Sequence, residues 1–290
     1  PRTLPLACAS ILLGSGLAAY MGSFNGGILL LTLLTAISLQ VLSNLANDYG
    51  DAVSGADDAA RIGPTRAVAS GLLSPKAMRR GMGVTAGAAA LFGLWLLLAA
   101  FGLQWGPLLI FVLLGAASLL AAITYTVGLG TTPYGYRGLG DVAVFVFFGL
   151  LGVLGTYYLH TQALSGLALL PAAVCGLLCT AVLNVNNVRD IESDARNGKI
   201  TLAVKLGRRR AIAYHWTLLA AALALTLGYL LAAAAPLPSW SCLLVAKPLA
   251  DAARTLSTTT DGETLTNMLK KTALSTLGYS VLLGSGLAFF

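Results

Sequence analysis

Nine apolar runs follow one another along this chain, at 4–22, 27–47, 81–101, 107–127, 140–159, 164–186, 211–235, 238–254 and 272–290. A helix needs about 17–25 mostly apolar residues to cross a bilayer, and these runs have that length. Charged residues make up 10% of the 290, where a soluble domain carries about 25%. The expected fold class is therefore an all-α polytopic membrane protein of about nine transmembrane helices around a central cavity. The eighth run is the least regular, because Lys247 and Asp251 interrupt it. The chain starts at Pro1, and a preceding N-terminal stretch is expected.

The basic residues orient this bundle. The short connections near 23–26, 102–106, 160–163 and 236–237 hold no Lys or Arg, whereas 48–80, 128–139, 187–210 and 255–271 hold nearly all of them. The positive-inside rule then puts the N-terminus and the four long connections in the cytoplasm and the C-terminus outside. Topology accounts for the formal charge of +7, so nucleic acid is not implied as a partner. The lipid bilayer is.

Against this sparse charge, two polar clusters stand at the ends of apolar runs. The first is Asn44-Leu-Ala-Asn47-Asp48-Tyr-Gly-Asp51, followed by Asp57 and Asp58. The second is Asn184-Val-Asn186-Asn187-Val-Arg-Asp190-Ile-Glu192-Ser-Asp194. Asn44, Asn47, Asp48 and Asp51 fall on one face if their helix continues, and so do Asn186, Asp190 and Asp194. Basic residues follow each cluster, Arg61 and Arg66 the first, Arg196, Lys199 and Lys205 the second. Carboxylate and amide oxygens suit Mg²⁺, and the cations suit phosphate oxygens. Two inward-facing carboxylate sets across a cavity would clamp a metal-bound diphosphate. Acids inside membranes also mark ion pathways, but here they gather at one face. The clusters lie roughly 140 residues apart, so the single domain 1–290 reads as two pseudo-repeated halves, about 1–135 and 136–290.

Between them comes a Gly/Pro loop, Ile123-Thr-Tyr125-Thr-Val-Gly and then Pro133-Tyr134-Gly-Tyr136-Arg137-Gly-Leu-Gly-Asp141. Its tyrosines and Arg137 are placed to overhang the cavity mouth and hold an aromatic acceptor; an interfacial tyrosine belt accounts for the same residues. Cys8, Cys175, Cys179 and Cys242 lie in apolar runs without the partners a zinc site needs. His160 and His215 read as structural.

With these motifs in view, the chain resembles the UbiA superfamily of intramembrane aromatic prenyltransferases. Within it, the chain is similar to the branch that prenylates 1,4-dihydroxy-2-naphthoate in menaquinone synthesis. The resemblance rests on the two clusters, on Arg61-Ile-Gly-Pro-Thr-Arg66 and on the tyrosine loop, and runs from residue 3 to about 207. It implies transfer of a polyprenyl group from polyprenyl diphosphate to 1,4-dihydroxy-2-naphthoate, with loss of the ring carboxylate, in a bacterial inner membrane. The implied Mg²⁺ ligands are Asn47, Asp48, Asp51, Asp190 and Asp194. Asp51, Asp190 and Tyr125 would act in catalysis. Asn44, Arg61, Arg66, Tyr134, Arg137, Asn186, Asn187 and Lys199 would contact substrates. The superfamily's third aspartate is replaced by Gly55, with Asp57 two residues later. An acceptor such as 4-hydroxybenzoate or homogentisate, or an ion-coupled transporter, remains the alternative.

Overall fold

The computed structural model describes residues 3–55, 66–128 and 130–289, and contains no strand among them. Helix α1 spans Leu4–Tyr20 and α2 spans Gly26–Val53, where Asn25 accepts the N–H groups of Gly27 and Ile28. Ser74 caps α3, Pro75–Phe101, which opens on a proline whose missing N–H costs nothing at that position. Helix α4 is Trp105–Thr124 and α5 is Gly140–Thr161, the latter wound as a π-helix over Phe145–Leu154. Then follow α6, Leu169–Arg189, two short helices α7, Ile191–Arg196, and α8, Leu202–Leu206, and α9, Arg208–Ala232. A 3-10 segment, Leu237–Val245, leads into α10, Ala246–Thr258, and α11, Gly262–Ala288, closes the fold.

Six of these helices, α2 to α6 and α9, are long and apolar enough to cross a membrane. The eighth expected span is split, because the winding changes at Val245. Pro248 has no N–H to give the preceding turn, which favours such a break.

Small residues let the helices approach closely. A Cβ on Gly16 of α1 would lie 2.4 Å from Cα of Gly284 in α11, and one on Gly149 of α5 would lie 2.6 Å from Cα of Gly176 in α6. Such small-residue contacts replace the hydrophobic drive that helices lack in lipid. Helix α6 is the most enclosed of the six, packed between α5, α9 and α11. Helices α2, α3 and α4 pack on one another, and α2 and α5 both meet α1. A cavity of about 1110 Å³ opens among α1 to α6, with Leu269 alone contributed from the last three long helices.

Helix α2 has 28 residues, so it is about 42 Å long. A bilayer core is about 30 Å thick, so its last turns, from Asn44 onward, reach the polar edge. That is where the cavity gains its polar end.

Candidate functional site

The helix does continue through the first cluster. Asn44, Asn47, Asp48 and Asp51 all line the cavity from the C-terminal end of α2. Gly50 allows this docking, because a Cβ there would lie 2.6 Å from the Thr126 carbonyl oxygen. Asn44 Oδ1 accepts Thr3 Oγ1 at 3.0 Å, and Asn47 Oδ1 accepts Thr126 Oγ1 at 3.0 Å. The Asp48 carboxylate accepts the backbone N–H groups of Ala67 and Val68 at 3.0 and 3.1 Å, which fixes the chain just after Arg66. Arg61, Asp57 and Asp58 lie outside the described residues.

Asp51 is 2% exposed and carries several partners. Arg66 Nη1 lies 2.7 Å from its Oδ2, Lys199 Nζ 3.5 Å from the same oxygen, and the Tyr136 hydroxyl donates to its Oδ1 at 2.5 Å. Lys199 Nζ is also 3.9 Å from Asp194 Oδ1. One ammonium group therefore joins a carboxylate of the first cluster to one of the second.

The second cluster departs from the expected single face. The α-helix stops at Arg189, and Asp190 sits at the junction with α7. The Arg189 guanidinium takes both oxygens of Asp190, at 2.7 and 2.6 Å, and also reaches Asn186 Oδ1 at 2.9 Å and Thr266 Oγ1 at 3.1 Å. Asn186, Asn187 and Lys199 line the cavity, whereas Asp190 and Asp194 are not part of that lining, and Asp194 reaches it through Lys199. A periodicity argument assumes an unbroken helix and so misses the turn at Asp190. Arg189, in the middle of the motif, is the residue that sequence reasoning overlooked.

The tyrosine loop lies between the clusters. Tyr134–Arg137 forms a 3-10 turn ended by Gly138 at φ 78°. The Tyr136 carbonyl accepts from Ile200 N at 3.1 Å, and Lys199 Nζ stands 5.4 Å from the centre of the Tyr136 ring. Tyr125 and Tyr134 line the cavity with their rings edge to face at 5.3 Å, and the Tyr134 hydroxyl donates to the Ala121 carbonyl at 2.9 Å. Burial pushes the Tyr134 phenol up to about 12. Burial and then the Asp51 charge hold the Tyr136 phenol above its ordinary range. Both stay protonated donors at neutral pH. Arg137 differs from expectation: its side chain is exposed and outside the cavity lining, and its carbonyl accepts from Lys205 Nζ at 2.7 Å. His160 packs at the far end of α5, with Ser15 at 3.0 Å and Asn25 N at 3.2 Å.

The donor set fits Mg²⁺ together with a diphosphate. Among the described residues no group of three His, Cys, Asp or Glu forms a protein-only metal cage. Magnesium rarely uses one, taking one or two carboxylates, waters and phosphate oxygens instead. Asp51 and Asp194 already converge on one cationic group, the Lys199 ammonium. Arg66 and Lys199 carry the charge that phosphate oxygens require.

Fold and site together define a helical membrane protein built around a long apolar cavity with one highly charged mouth. The UbiA prenyltransferase family matches residues 7–274, and the chain belongs to that family. It is 46% identical over 277 residues to the 1,4-dihydroxy-2-naphthoate octaprenyltransferase of Escherichia coli, covering 96% of this chain and 89% of that one. To the protein of the same name from Haemophilus influenzae it is 49% identical over 253 residues, covering 86% and 80%. Among solved structures, a UbiA homolog from Aeropyrum pernix superposes with a TM-score of 0.70 at 17% identity, covering 98% of this chain and 95% of that one. A UbiA homolog from Archaeoglobus fulgidus, bound to DMAPP and Mg²⁺, superposes at 0.61 with 15% identity and 98% of each chain covered.

Proposed function

We propose that this chain transfers a polyprenyl group from polyprenyl diphosphate to 1,4-dihydroxy-2-naphthoate at the charged mouth of the cavity, with release of diphosphate and CO₂. The observation that carries this reading is the Lys199 ammonium, which lies between Asp51 and Asp194 and so joins the two clusters at one point. The naphthoate acceptor is supported by the relatives from Escherichia coli and Haemophilus influenzae. The use of Mg²⁺ is supported by the ligands of the Archaeoglobus structure.

In this mechanism the isoprenoid tail lies along the apolar body of the cavity, against side chains such as Leu94, Phe111 and Phe147. Asn47, Asp48, Asp51 and Asp194 would hold Mg²⁺, with Asp190 beside Asp194 in the same cluster, and Arg66 and Lys199, together with Arg61 of the same sequence motif, would hold the diphosphate. When bound, the metal neutralises diphosphate charge and improves it as a leaving group. The allylic C–O bond breaks and its electron pair leaves on the diphosphate. The ring carbon that bears the carboxylate supplies the pair for the new C–C bond. Loss of CO₂ then returns a pair to the ring, so no proton need leave that carbon. The faces of Tyr125 and Tyr134 shield the allylic cation. Asn44, Asn186 and Asn187 orient the acceptor.

We place nine helical segments across a bacterial inner membrane: α1 to α6, α9, the joined 237–258 segment and α11. The N-terminus and the charged mouth then face the cytoplasm and the C-terminus faces outside. The clustering of Lys and Arg at one end of the helices supports this orientation.

The test is an assay of purified protein with a polyprenyl diphosphate, Mg²⁺ and either 1,4-dihydroxy-2-naphthoate or 4-hydroxybenzoate, with product read by mass. Product from naphthoate is expected, lighter by the mass of CO₂ than a simple adduct. Product from 4-hydroxybenzoate alone overturns the acceptor. No product with any aromatic acceptor, in folded protein, overturns the reaction.

A further inference from the structure

A second cavity, of about 300 Å³, lies away from the charged mouth, between α9 and the 237–258 segment. Trp216, Ala220 and Leu223 line one wall, Ala246 and Ala250 the other, and Tyr279 of α11 lies at its floor. Trp216 and Leu223 are exposed, so the cavity is a groove open on the outer flank of the bundle. It is apolar, and nothing in the transfer mechanism uses it.

Helical register puts two exposed arginines at one end of this groove. Arg209 precedes Trp216 by seven residues, two turns of α9 and the same face. Arg254 follows Ala250 by four residues, one turn of α10 and again the same face. The two helices run in opposite directions, and their ends are tied there, because Arg208 Nη2 donates to the Leu256 and Thr259 carbonyls. Both arginines thus lie beyond the same, polar end. Arg254 has a carboxylate neighbour, Asp251 at 3.6 Å, but Lys247 and Lys271 share that carboxylate at 3.3 and 4.0 Å. Asp261 and Glu263 stand exposed on the adjoining turn, and Asp261 is engaged in capping α11. From residue 208 to 271 seven Lys and Arg face three Asp and Glu, so the groove's surroundings keep a positive excess.

We propose that this groove is a binding site for an anionic phospholipid, with an acyl chain between α9 and α10 and the phosphate headgroup at Arg209 and Arg254. An apolar trough that ends in a positive pair complements that molecule, where a zwitterionic lipid would gain only the trough. The inference rests on the chain lying in a membrane and not on its reaction.

The experiment is native mass spectrometry of delipidated full-length protein mixed with equal phosphatidylglycerol and phosphatidylcholine of the same acyl chains. Wild type should retain phosphatidylglycerol in preference, by roughly fivefold for each arginine engaged. Arg209→Gln with Arg254→Gln should abolish the preference but keep prenyl transfer, which verifies folding. Ala220→Phe, which fills the trough, should lower retention of both lipids. Equal retention of the two lipids by wild type, or a preference unchanged in the double variant, overturns the proposal. So does a groove covered by a second copy, seen as a dimer that carries no lipid.

Discussion

Lys199 Nζ lies 3.5 Å from Asp51 Oδ2, although 148 residues separate them in the chain. The contact closes the two polar clusters onto each other at the cavity mouth. It leaves the Asp51 carboxylate between two cations, since Arg66 is 2.7 Å away on the same oxygen. Replacing Lys199 with Met should lower kcat/KM for prenyl transfer by about 100-fold, the usual loss when one preorganised charge at a reacting centre is removed. Lys199→Arg should recover part of it. Steady-state kinetics at saturating Mg²⁺ measure both, and a Met variant near wild-type rates would exclude Lys199 from the site.

Arg189 and Asp190 form a buried pair, with side chains 3% and 8% exposed. Truncation of one partner leaves the other charge unpaired. Arg189→Leu should therefore destabilise the protein by about 3–5 kcal/mol, whereas the double change Arg189→Leu, Asp190→Leu should recover most of that loss. Denaturation in detergent reads the difference. A single variant as stable as wild type would mean that Asp190 finds another partner or is neutral.

Tyr136 ties the loop to the first cluster through its hydrogen bond to Asp51. Tyr136→Phe should cost about 1.5 kcal/mol, roughly tenfold in transfer. The pH dependence follows from the sign of the shift. Burial and Asp51 raise the phenol in the folded state, so its contribution to stability is complete below the unfolded phenol value, about 10, and declines as pH rises toward the folded value. Stability profiles above about pH 10 should fall more steeply for wild type than for Tyr136→Phe. Parallel profiles would remove Tyr136 as the titrating group.

Gly16 and Gly87 separate packing from propensity. A Cβ at Gly16 meets the α11 backbone at 2.4 Å, while at Gly87 of α3 nothing lies within 4 Å. Gly16→Ala should destabilise by about 1–3 kcal/mol through overpacking. Gly87→Ala should be neutral or stabilise by up to about 1 kcal/mol, as expected for an unobstructed helix position. Thermal unfolding of the pair checks both signs.

The helical character of the nine runs, and the six membrane-length helices among them, were legible from apolar run length, because lipid makes that one variable dominant. The face shared by Asn44, Asn47, Asp48 and Asp51 was legible for the same reason, as α2 is unbroken through Val53. Asp190 was not legible, because the fate of its carboxylate depends on where α6 stops and on the adjacent Arg189. Tyr136 and Arg137 sit side by side in one motif, yet one reaches Asp51 and the other points outward. That choice is made by the 3-10 turn and its bond to Ile200, tertiary features without a periodic signature. The break at Val245 inside the eighth run escaped a hydropathy reading because apolar content does not report winding.

We propose that the two clusters act as one site for a metal-bound diphosphate. The most direct measurement is calorimetric binding of a prenyl diphosphate to wild type, Asp51→Asn and Asp194→Asn, each with Mg²⁺ and with EDTA. Wild type should bind tightly only with Mg²⁺, and both variants, one from each cluster, should lose that metal-dependent binding. Metal-dependent binding of wild-type strength in either variant would contradict it.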